Sequence, residues 1–330
     1  MNTSAPTFPD AADRRLATMR NNVAPVVAER MREIGPANTW YRAAAMRDSQ
    51  PKSQAAIACP PLGPGTALRD YGLAELSAAI DALGIRGRHV HGGVHQARKA
   101  IRRTRAMLAL GGIALGPGAK LIDRRLRDAN RHLSPMRDAH ALVETLDRVR
   151  TKTREEAIRT SLDHARRIAA RRRAAMAHKP EFTHALQHEQ AIVAALRAAL
   201  LGLPWDTVST AVVADAMAAA ERKAAAARDR ACAHDDAEAW HRWRRRMRRI
   251  SQQHRAAIAA GLPVQDAEFD KNMTEQLGVL QDLNLLVAHC GDDSPFSTSR
   301  STLRHFAERT VARQRKRIRS VVALAVSSAP

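Results

Sequence analysis

Aromatic residues are scarce in this sequence, at 3% of 330 residues, so aromatic packing cannot dominate its core. The core must instead be built from alanine, leucine, isoleucine, valine and methionine. Alanine and leucine lead the helix-propensity scale, and β-branched residues are comparatively few. No segment has the pattern of a strand. The sequence therefore predicts an all-α fold.

Cysteines and long apolar runs are also few. Cys59, Cys232 and Cys290 are far apart and odd in number, which excludes a disulfide framework and a C-x-x-C metal pair. No apolar run approaches the roughly 18 residues that span a bilayer, and the N-terminus lacks the apolar segment of a secretory signal. We expect a cytoplasmic protein with no membrane partner.

Acidic residues are too few to balance the basic ones. The chain has 54 Lys and Arg against 33 Asp and Glu, a formal charge of +21 and a pI near 11.3. The excess lies in the middle, because residues 91–260 hold 34 of the basic and 17 of the acidic side chains. Such a charge predicts a polyanionic partner for this part of the chain.

The stretch 94–108, VHQARKAIRRTRAML, concentrates this charge. On a helix its cations fall at i, i+3, i+4, i+7 and i+8, and apolar side chains occupy the other face. Exposed helix faces normally intersperse acids at i+4, whereas this face has none, so we expect an anion to lie against it. Its members are His95, Arg98, Lys99, Arg102 and Arg103, with Arg105 at the edge.

The same pattern occurs a second time. His241, Arg244, Arg245, Arg248 and Arg249 repeat these offsets in WHRWRRRMRRI. Downstream, LSPMRD at 133–138 is matched by LGVLQD at 277–282. Two motifs that recur in the same order predict an internal repeat.

These motifs resemble those of the conserved histidine α-helical domain (CHAD) family, with H-x-x-R-[VK]-x-x-R-R-x-R followed by L-G-x-x-R-D. The resemblance covers roughly residues 67–326. Ser134 departs from the usual Gly and Gln281 from the usual Arg, so the second Arg-Asp pair cannot be transferred. The downstream matches are Leu133, Arg137 and Asp138 in the first half, and Leu277, Gly278 and Asp282 in the second.

The resemblance implies two four-helix-bundle-like halves, related by a pseudo-twofold axis around a basic groove that binds inorganic polyphosphate. We assign residues 67–326 to this domain, with halves at 67–179 and 180–326. Residues 1–66 are predicted to be a tail and linker, either partly disordered or with one helix at 11–34.

Further cationic stripes follow on other predicted helices. A helix that starts at Pro117 has four cations at i, i+4, i+7 and i+11. Lys271 takes the place of Arg127 in the second half. The additional candidates for polyphosphate contact are Lys120, Arg124, Arg127, Arg131, Arg137, Arg167, Arg171, Lys271, Arg313 and Arg317.

Helix boundaries are predicted from prolines, glycines and capping residues. Ser134 and Pro135 are predicted as N-cap and first residue of one helix, and Thr153–Glu156 as a capping box for the next. Asp138 and Asp282 are assigned a structural role near helix starts.

The predicted function is non-catalytic binding of inorganic polyphosphate, with targeting to polyphosphate granules. Arginine predominates over lysine, which favours bidentate phosphate contacts. The alternative is a nucleic-acid-binding protein, which would use the same charge but usually adds stacking aromatics. No cofactor or metal is expected, because the histidines at 89, 91 and 95, and at 184 and 188, lack a carboxylate or thiolate that completes a site. A phosphohydrolase is disfavoured because no cluster of acidic metal ligands is recognisable.

Overall fold

The structure, a computed structural model, describes residues 63–234, 236–262, 264, 271–296 and 299–327. Within these ranges the chain forms ten α-helices, two short 3-10 helices (Gly87–His89 and Trp205–Thr207) and no strand, which confirms the all-α prediction. The helix predicted at 11–34 and Cys59 lie outside them. The helices are α1 (Pro64–Gly84), α2 (Val90–Leu108), α3 (Gly116–His132), α4 (Ser134–Lys152), α5 (Glu156–Ala177), α6 (Pro180–Leu201), α7 (Thr210–Ala233), α8 (Ala237–Ala259), α9 (Lys271–His289) and α10 (Arg300–Ser327).

Two predicted helix caps are wrong. Ser134 lies within α4 rather than before it, and its hydroxyl donates to the Asn130 carbonyl at 3.2 Å. Thr153 lies two residues before the true N-cap, Glu155, and its hydroxyl donates to the Val149 carbonyl. In both cases the hydroxyl bonds the carbonyl four residues back, a local alternative that competes with N-capping.

The first hydrophobic core combines α1, α2, α3 and α6. Leu76, Ile101 and Leu126 are fully buried there beside Val193 of α6. Gly93 allows α2 to approach α1 closely, because a Cβ at this position would lie 2.4 Å from the Ala82 carbonyl oxygen. Helix α6 begins at Pro180, so packing crosses the boundary proposed between the two halves. That boundary and the one at residue 66 stay predictions.

Two further cores complete the helical body. One joins α4 and α5 to the end of α9 and the start of α10, around Leu146, Leu162 and Phe296. The other joins α7, α8, α9 and α10 around Trp240 and Leu277. Among the described helices, none is sufficiently long and apolar to cross a membrane.

The two basic helices pack against each other, as do α4 and α9, which carry the two downstream elements. These elements differ locally. Leu133 separates α3 from α4, where Pro135 lacks the N–H that would continue the helix, whereas Leu277 lies inside α9. Because α4 also contacts α2, and α9 contacts α8, the cationic faces of the two basic helices meet near α4.

Candidate anion-binding site

Helices α2 and α8 direct their apolar side chains into the cores, which leaves the cations at the junction. Val94, Ala97 and Ile101 are buried on α2, and Trp240 and Trp243 on α8. The Asp236 carboxylate caps α8 by accepting from the backbone N–H groups of residues 238 and 239, at 3.0 and 3.2 Å. Amphipathic packing and this cap position the cations of α8.

Arg102 lies deepest in the cationic cluster. Burial, together with the charges of Arg248, Arg98, Arg137 and Arg244, lowers its pKa to about 8. Its buried Nε has no hydrogen-bond partner in the described part of the chain. Because guanidinium keeps its proton in proteins, the unfavourable charge persists unless an anion binds beside it.

Arg244 and Arg248 reach the same place from α8. Burial, together with repulsion from Arg248 and Arg137, lowers the pKa of Arg244 to about 10. Burial and then Arg137 lower the pKa of Arg248. Among the described residues neither side chain forms an ion pair. Mutually repelling arginines of α2, α4 and α8 therefore lie together in one group, which we call the central cluster. Its members are Arg98, Arg102, Arg137, Arg244 and Arg248.

Arg98 is held in the central cluster by hydrogen bonds rather than by an acid. Its Nη1 donates to the Asn130 carbonyl and, at 2.6 Å, to the Ser134 hydroxyl. Burial lowers its pKa, while the more distant Asp138 opposes this shift. The break between α3 and α4 thus supplies the groups that orient Arg98.

His95 borders the central cluster one turn before Arg98 and Lys99. Burial and the charges of Arg137, Arg102 and Lys99 together lower the pKa of His95 to about 4, against the opposing effect of Glu144. Glu144 accepts from Arg137 at 3.1 Å and from His140 at 3.3 Å. The imidazole is therefore neutral near pH 7 in the absence of an anion.

Lys99 and Arg249 flank the central cluster. Burial lowers the pKa of Lys99, followed by the charges of Arg103 and Arg255. Burial also lowers the pKa of Arg249, against the opposing charge of Asp123. Neither forms an ion pair with another described residue.

Several predicted site residues have acidic partners. The expectation of a face without acidic relief is wrong for these residues. The acids that pair with Arg103 and Arg105 lie on neighbouring helices, where analysis of a single helix does not reveal them, whereas the other four pairs each lie within one helix. The pairs are Arg103–Glu75 (3.0 Å), Arg105–Asp123 (2.8 Å), Arg127–Asp123 (3.3 Å), Arg131–Asp128 (3.6 Å), Arg137–Glu144 (3.1 Å) and Arg245–Glu238 (3.1 Å).

His241 differs from His95 in its surroundings. Its Nδ1 donates to the side-chain oxygen of Gln281 at 2.5 Å. Gln281 occupies the position where the family usually has Arg. His241 therefore has a neutral neighbour, whereas His95 in the first half lies near the charged Arg137. Asp282 lies in the middle of α9, so its predicted position near a helix start is wrong; it forms an ion pair with Arg148 of α4 instead.

The remaining predicted contacts lie outside the central cluster. They are exposed on α3, α5 and α10, apart from Lys271, whose side chain lies outside the described part of the structure. The exposed residues are Lys120, Arg124, Arg167, Arg171, Arg313 and Arg317. Their role in binding stays a prediction.

Sequence analysis missed several groups around the site. Asn130 is buried with both side-chain polar atoms unpaired, and Glu144, His140 and Arg173 form a network beside His95. No local spacing reveals them, since α3, α4 and α5 meet α2 only in the tertiary structure. Arg255 continues the α8 stripe seven residues after Arg248, so helical spacing could have identified it. Among the described residues, no group of three or more His, Cys, Asp or Glu side chains is placed to hold a metal ion.

Comparisons with known proteins agree with this architecture. A family model described as the CHAD domain matches residues 70–291. The solved structure of PptA from Streptomyces chartreusis is similar, with a TM-score of 0.54 and 19% identity over 78% of this chain and 98% of that chain. At this identity the likeness establishes the fold alone. A search of the curated proteins finds no match.

Proposed function

The chain belongs to the CHAD domain family, and on that premise we propose that it binds inorganic polyphosphate without catalysing a reaction on it. The observation that carries this proposal is the central cluster, where five guanidinium groups converge. Four of them, on Arg98, Arg102, Arg244 and Arg248, have no ion-pair partner among the described residues. Bringing these charges together is unfavourable without a bound polyanion.

The chemistry of the ligand follows from what surrounds the cations. Trp205, Trp240 and Trp243 are buried in the cores, and Trp40 lies outside the described residues. Single-strand nucleic-acid sites usually add aromatic platforms for bases, and among the described residues none lines the central cluster. Polyphosphate offers only phosphates, which match a site built from guanidinium and imidazole groups.

A linear polyanion can join the two basic helices in one site. Since α2 packs against α8 and α4 against α9, a pseudo-twofold axis between these pairs would make the two stripes parts of a shared basic groove. The chain would contact the central cluster and continue over the exposed cations of α3, α5 and α10. Such binding would retain the protein on polyphosphate granules.

A competition experiment tests this function. The protein is bound to labelled long-chain polyphosphate at physiological salt, then challenged with polyphosphate, duplex DNA or RNA at matched phosphate concentration. We expect polyphosphate to compete best, and Arg102→Gln with Arg248→Gln to weaken binding at least tenfold. The matched control, Arg222→Gln with Lys223→Gln, removes two cations from α7, away from the central cluster, and should have little effect.

Two outcomes would contradict the proposal. Equal or better competition by DNA or RNA would identify a nucleic-acid-binding protein. Phosphate release in the presence of Mg²⁺ or Mn²⁺, lost in the Arg102→Gln variant but not in the control, would identify an enzyme.

A further inference from the structure

A second cationic pocket lies at the beginning of α2, about one turn before His95. It has a volume of about 480 Å³, well above the roughly 30 Å³ that one water molecule occupies in the liquid. Its lining contains two arginines and three histidines but no acidic residue among those described. The lining residues are Ile85, Arg88, His89, His91, Gly92, Gly93, Gln96, His140 and Arg173.

His91 supplies an unpaired hydrogen-bonding atom to this pocket. The residue is only 7% exposed, and its Nε2 lies 3.2 Å from the Arg173 carbonyl oxygen. Because a carbonyl only accepts, Nε2 carries the proton and Nδ1 has a free lone pair. This Nδ1 is buried and has no hydrogen-bond partner among the described residues. Burial lowers the pKa of His91, which favours the same neutral form.

Both ring nitrogens of the neighbouring His140 already have hydrogen-bond partners. Its Nδ1 accepts from the Arg173 guanidinium at 3.2 Å, and its Nε2 donates to Glu144 at 3.3 Å. Its ring stacks on His91, with centroids 6.1 Å apart and planes inclined by 5°. These contacts fix Arg173 and His91 in place, so the pocket combines guanidinium donors with the unpaired Nδ1 of His91.

Arg88 adds a second guanidinium from the 3-10 helix. Its Nε donates to His89 at 2.9 Å, and it forms no ion pair with any described residue. The positive end of the α2 macrodipole also lies here. The pocket therefore favours an anion that can both accept hydrogen bonds and donate one.

The two kinds of phosphate in a polyphosphate chain differ in this respect. A terminal phosphate resembles a phosphomonoester, whose second pKa is near 6, so a minority of chain ends carry a P–OH group near neutral pH. An interior phosphate has no such proton. Only the end of the chain, or free orthophosphate, can therefore accept from guanidinium groups and donate to a lone pair.

We propose that this pocket binds the terminal phosphate of a polyphosphate chain, with its oxygens accepting from Arg88 and Arg173 and its P–OH donating to His91 Nδ1. The inference rests on the proposed function. His91 and His95 lie one turn apart on α2, so a chain anchored at its end would continue directly into the central cluster. The protein would thereby distinguish chain ends from chain interiors.

End-capped polyphosphate provides the test. Chains of equal length are compared with free ends and with both ends blocked as phosphoramidates of an uncharged secondary amine, which leave neither a P–OH nor an N–H donor at the end. We expect the native protein to bind free-ended chains five- to tenfold more tightly than capped ones. Short chains should show the larger difference, because their ends are a greater share of the ligand.

A variant that fills the pocket without removing a charge sharpens the test. A Cβ on Gly92 would meet nothing within 4 Å, so Gly92→Leu should narrow the pocket without a clash. This variant should lose the preference for free ends while keeping the native affinity for capped chains. Ala191→Leu, which adds a leucine on the exposed side of α6, is the matched control and should keep the preference.

Four other results would contradict end recognition or the proposed function itself. Equal affinity of the native protein for capped and free-ended chains would overturn end recognition while leaving polyphosphate binding intact. An equal loss for both ligands in Gly92→Leu would also overturn it. Millimolar orthophosphate that binds the native protein but not Gly92→Leu, without any end preference, would replace it with a free-phosphate site. Absence of binding to either chain would overturn the proposed function itself.

Discussion

At the residue scale, Arg102 and Arg103 are neighbours with opposite surroundings. Arg102 is half-buried among Arg98, Arg137, Arg244 and Arg248. The side chain of Arg103 is 12% exposed and pairs with that of Glu75, which is 8% exposed, at 3.0 Å. The same residue type therefore opposes folding at one position and supports it at the next.

This contrast predicts opposite effects of one substitution. Arg102→Met should raise the free energy of unfolding by about 1 kcal/mol, because a repelled buried charge becomes an apolar side chain. Arg103→Met should lower it by about 3 kcal/mol, because the Glu75 carboxylate is left buried and unpaired. Urea unfolding of the ligand-free variants measures both. Changes of the same sign in the free energy of unfolding of the two variants would show that the environments of Arg102 and Arg103 are not distinct.

The two variants should also differ in binding. Arg102→Met should weaken polyphosphate binding despite its greater stability. Reversing Arg102 and Arg103 to Glu together, by contrast, would confuse a binding defect with the loss of the Glu75 ion pair.

His95 makes stability depend on pH. Its pKa is about 4 in the folded protein and near 6.5 when unperturbed, so between these values the unfolded chain binds a proton that the folded chain does not. Stability should therefore fall as pH decreases from 6.5 to 4, with His95 contributing about 1–3 kcal/mol of the loss. His95→Asn should reduce that loss, whereas His305→Asn, on the exposed side of α10, should not.

A bound polyanion should oppose this effect. It would favour the imidazolium of His95, so saturating polyphosphate should diminish the loss of stability at low pH. The measurement is the unfolding midpoint against pH with and without ligand. If the unfolding midpoint of His95→Asn depended on pH as that of the native protein does, the pH dependence could not be assigned to His95.

At the element scale, α8 and α10 carry similar cations in different settings. Arg244 and Arg248 are half-buried where α8 meets α2, while Arg313 and Arg317 are exposed on α10. Arg313 donates to Thr310 of its own helix at 3.3 Å. Position in the bundle, rather than local spacing, distinguishes the two stripes.

The salt dependence of binding should reveal this difference. Removing one phosphate contact lowers the slope of log affinity against log salt by about 0.7–0.9. Arg244→Gln with Arg248→Gln should therefore reduce the slope by about 1.5 and weaken binding severely. Arg313→Gln with Arg317→Gln should reduce it by less than half as much. Circular dichroism checks that each variant remains helical. Equal salt slopes for the two double variants would mean that the ligand does not contact the central cluster in preference to α10.

At the scale of the whole molecule, packing between α2 and α8 couples the two motif copies. Arg248 is the strongest single source of repulsion acting on Arg102. Removing either charge relieves the other, so the effects of two substitutions should not add.

A double-mutant cycle tests this coupling. Arg102→Gln and Arg248→Gln should each stabilise the ligand-free protein, and the double variant should gain at least about 0.5 kcal/mol less than the sum. The control cycle, Arg102→Gln with Arg313→Gln, should be additive within about 0.5 kcal/mol. Additivity in both cycles would show that the stripes on α2 and α8 are independent.

Local patterns in the sequence were sufficient to predict the helices, the basic stripes and the family. Helical periodicity and the prolines and glycines between helices are local properties, so α2 and α8 could be placed to within a few residues. The recurring His and Arg spacings are also local, which is why the motifs that carry the resemblance are recognisable in the sequence alone. The two wrong caps, at Ser134 and Thr153, came from hydroxyls that bond the preceding turn instead.

Which cations are free to meet an anion depends on tertiary packing. Glu75 and Asp123 lie far from their arginine partners in the sequence, and packing of α1 and α3 against α2 brings them together. Charge pairing and desolvation depend on distances across helices, which periodicity along one helix cannot supply. For the same reason, the pocket around His91 exists only because α4 and α5 place His140 and Arg173 beside it.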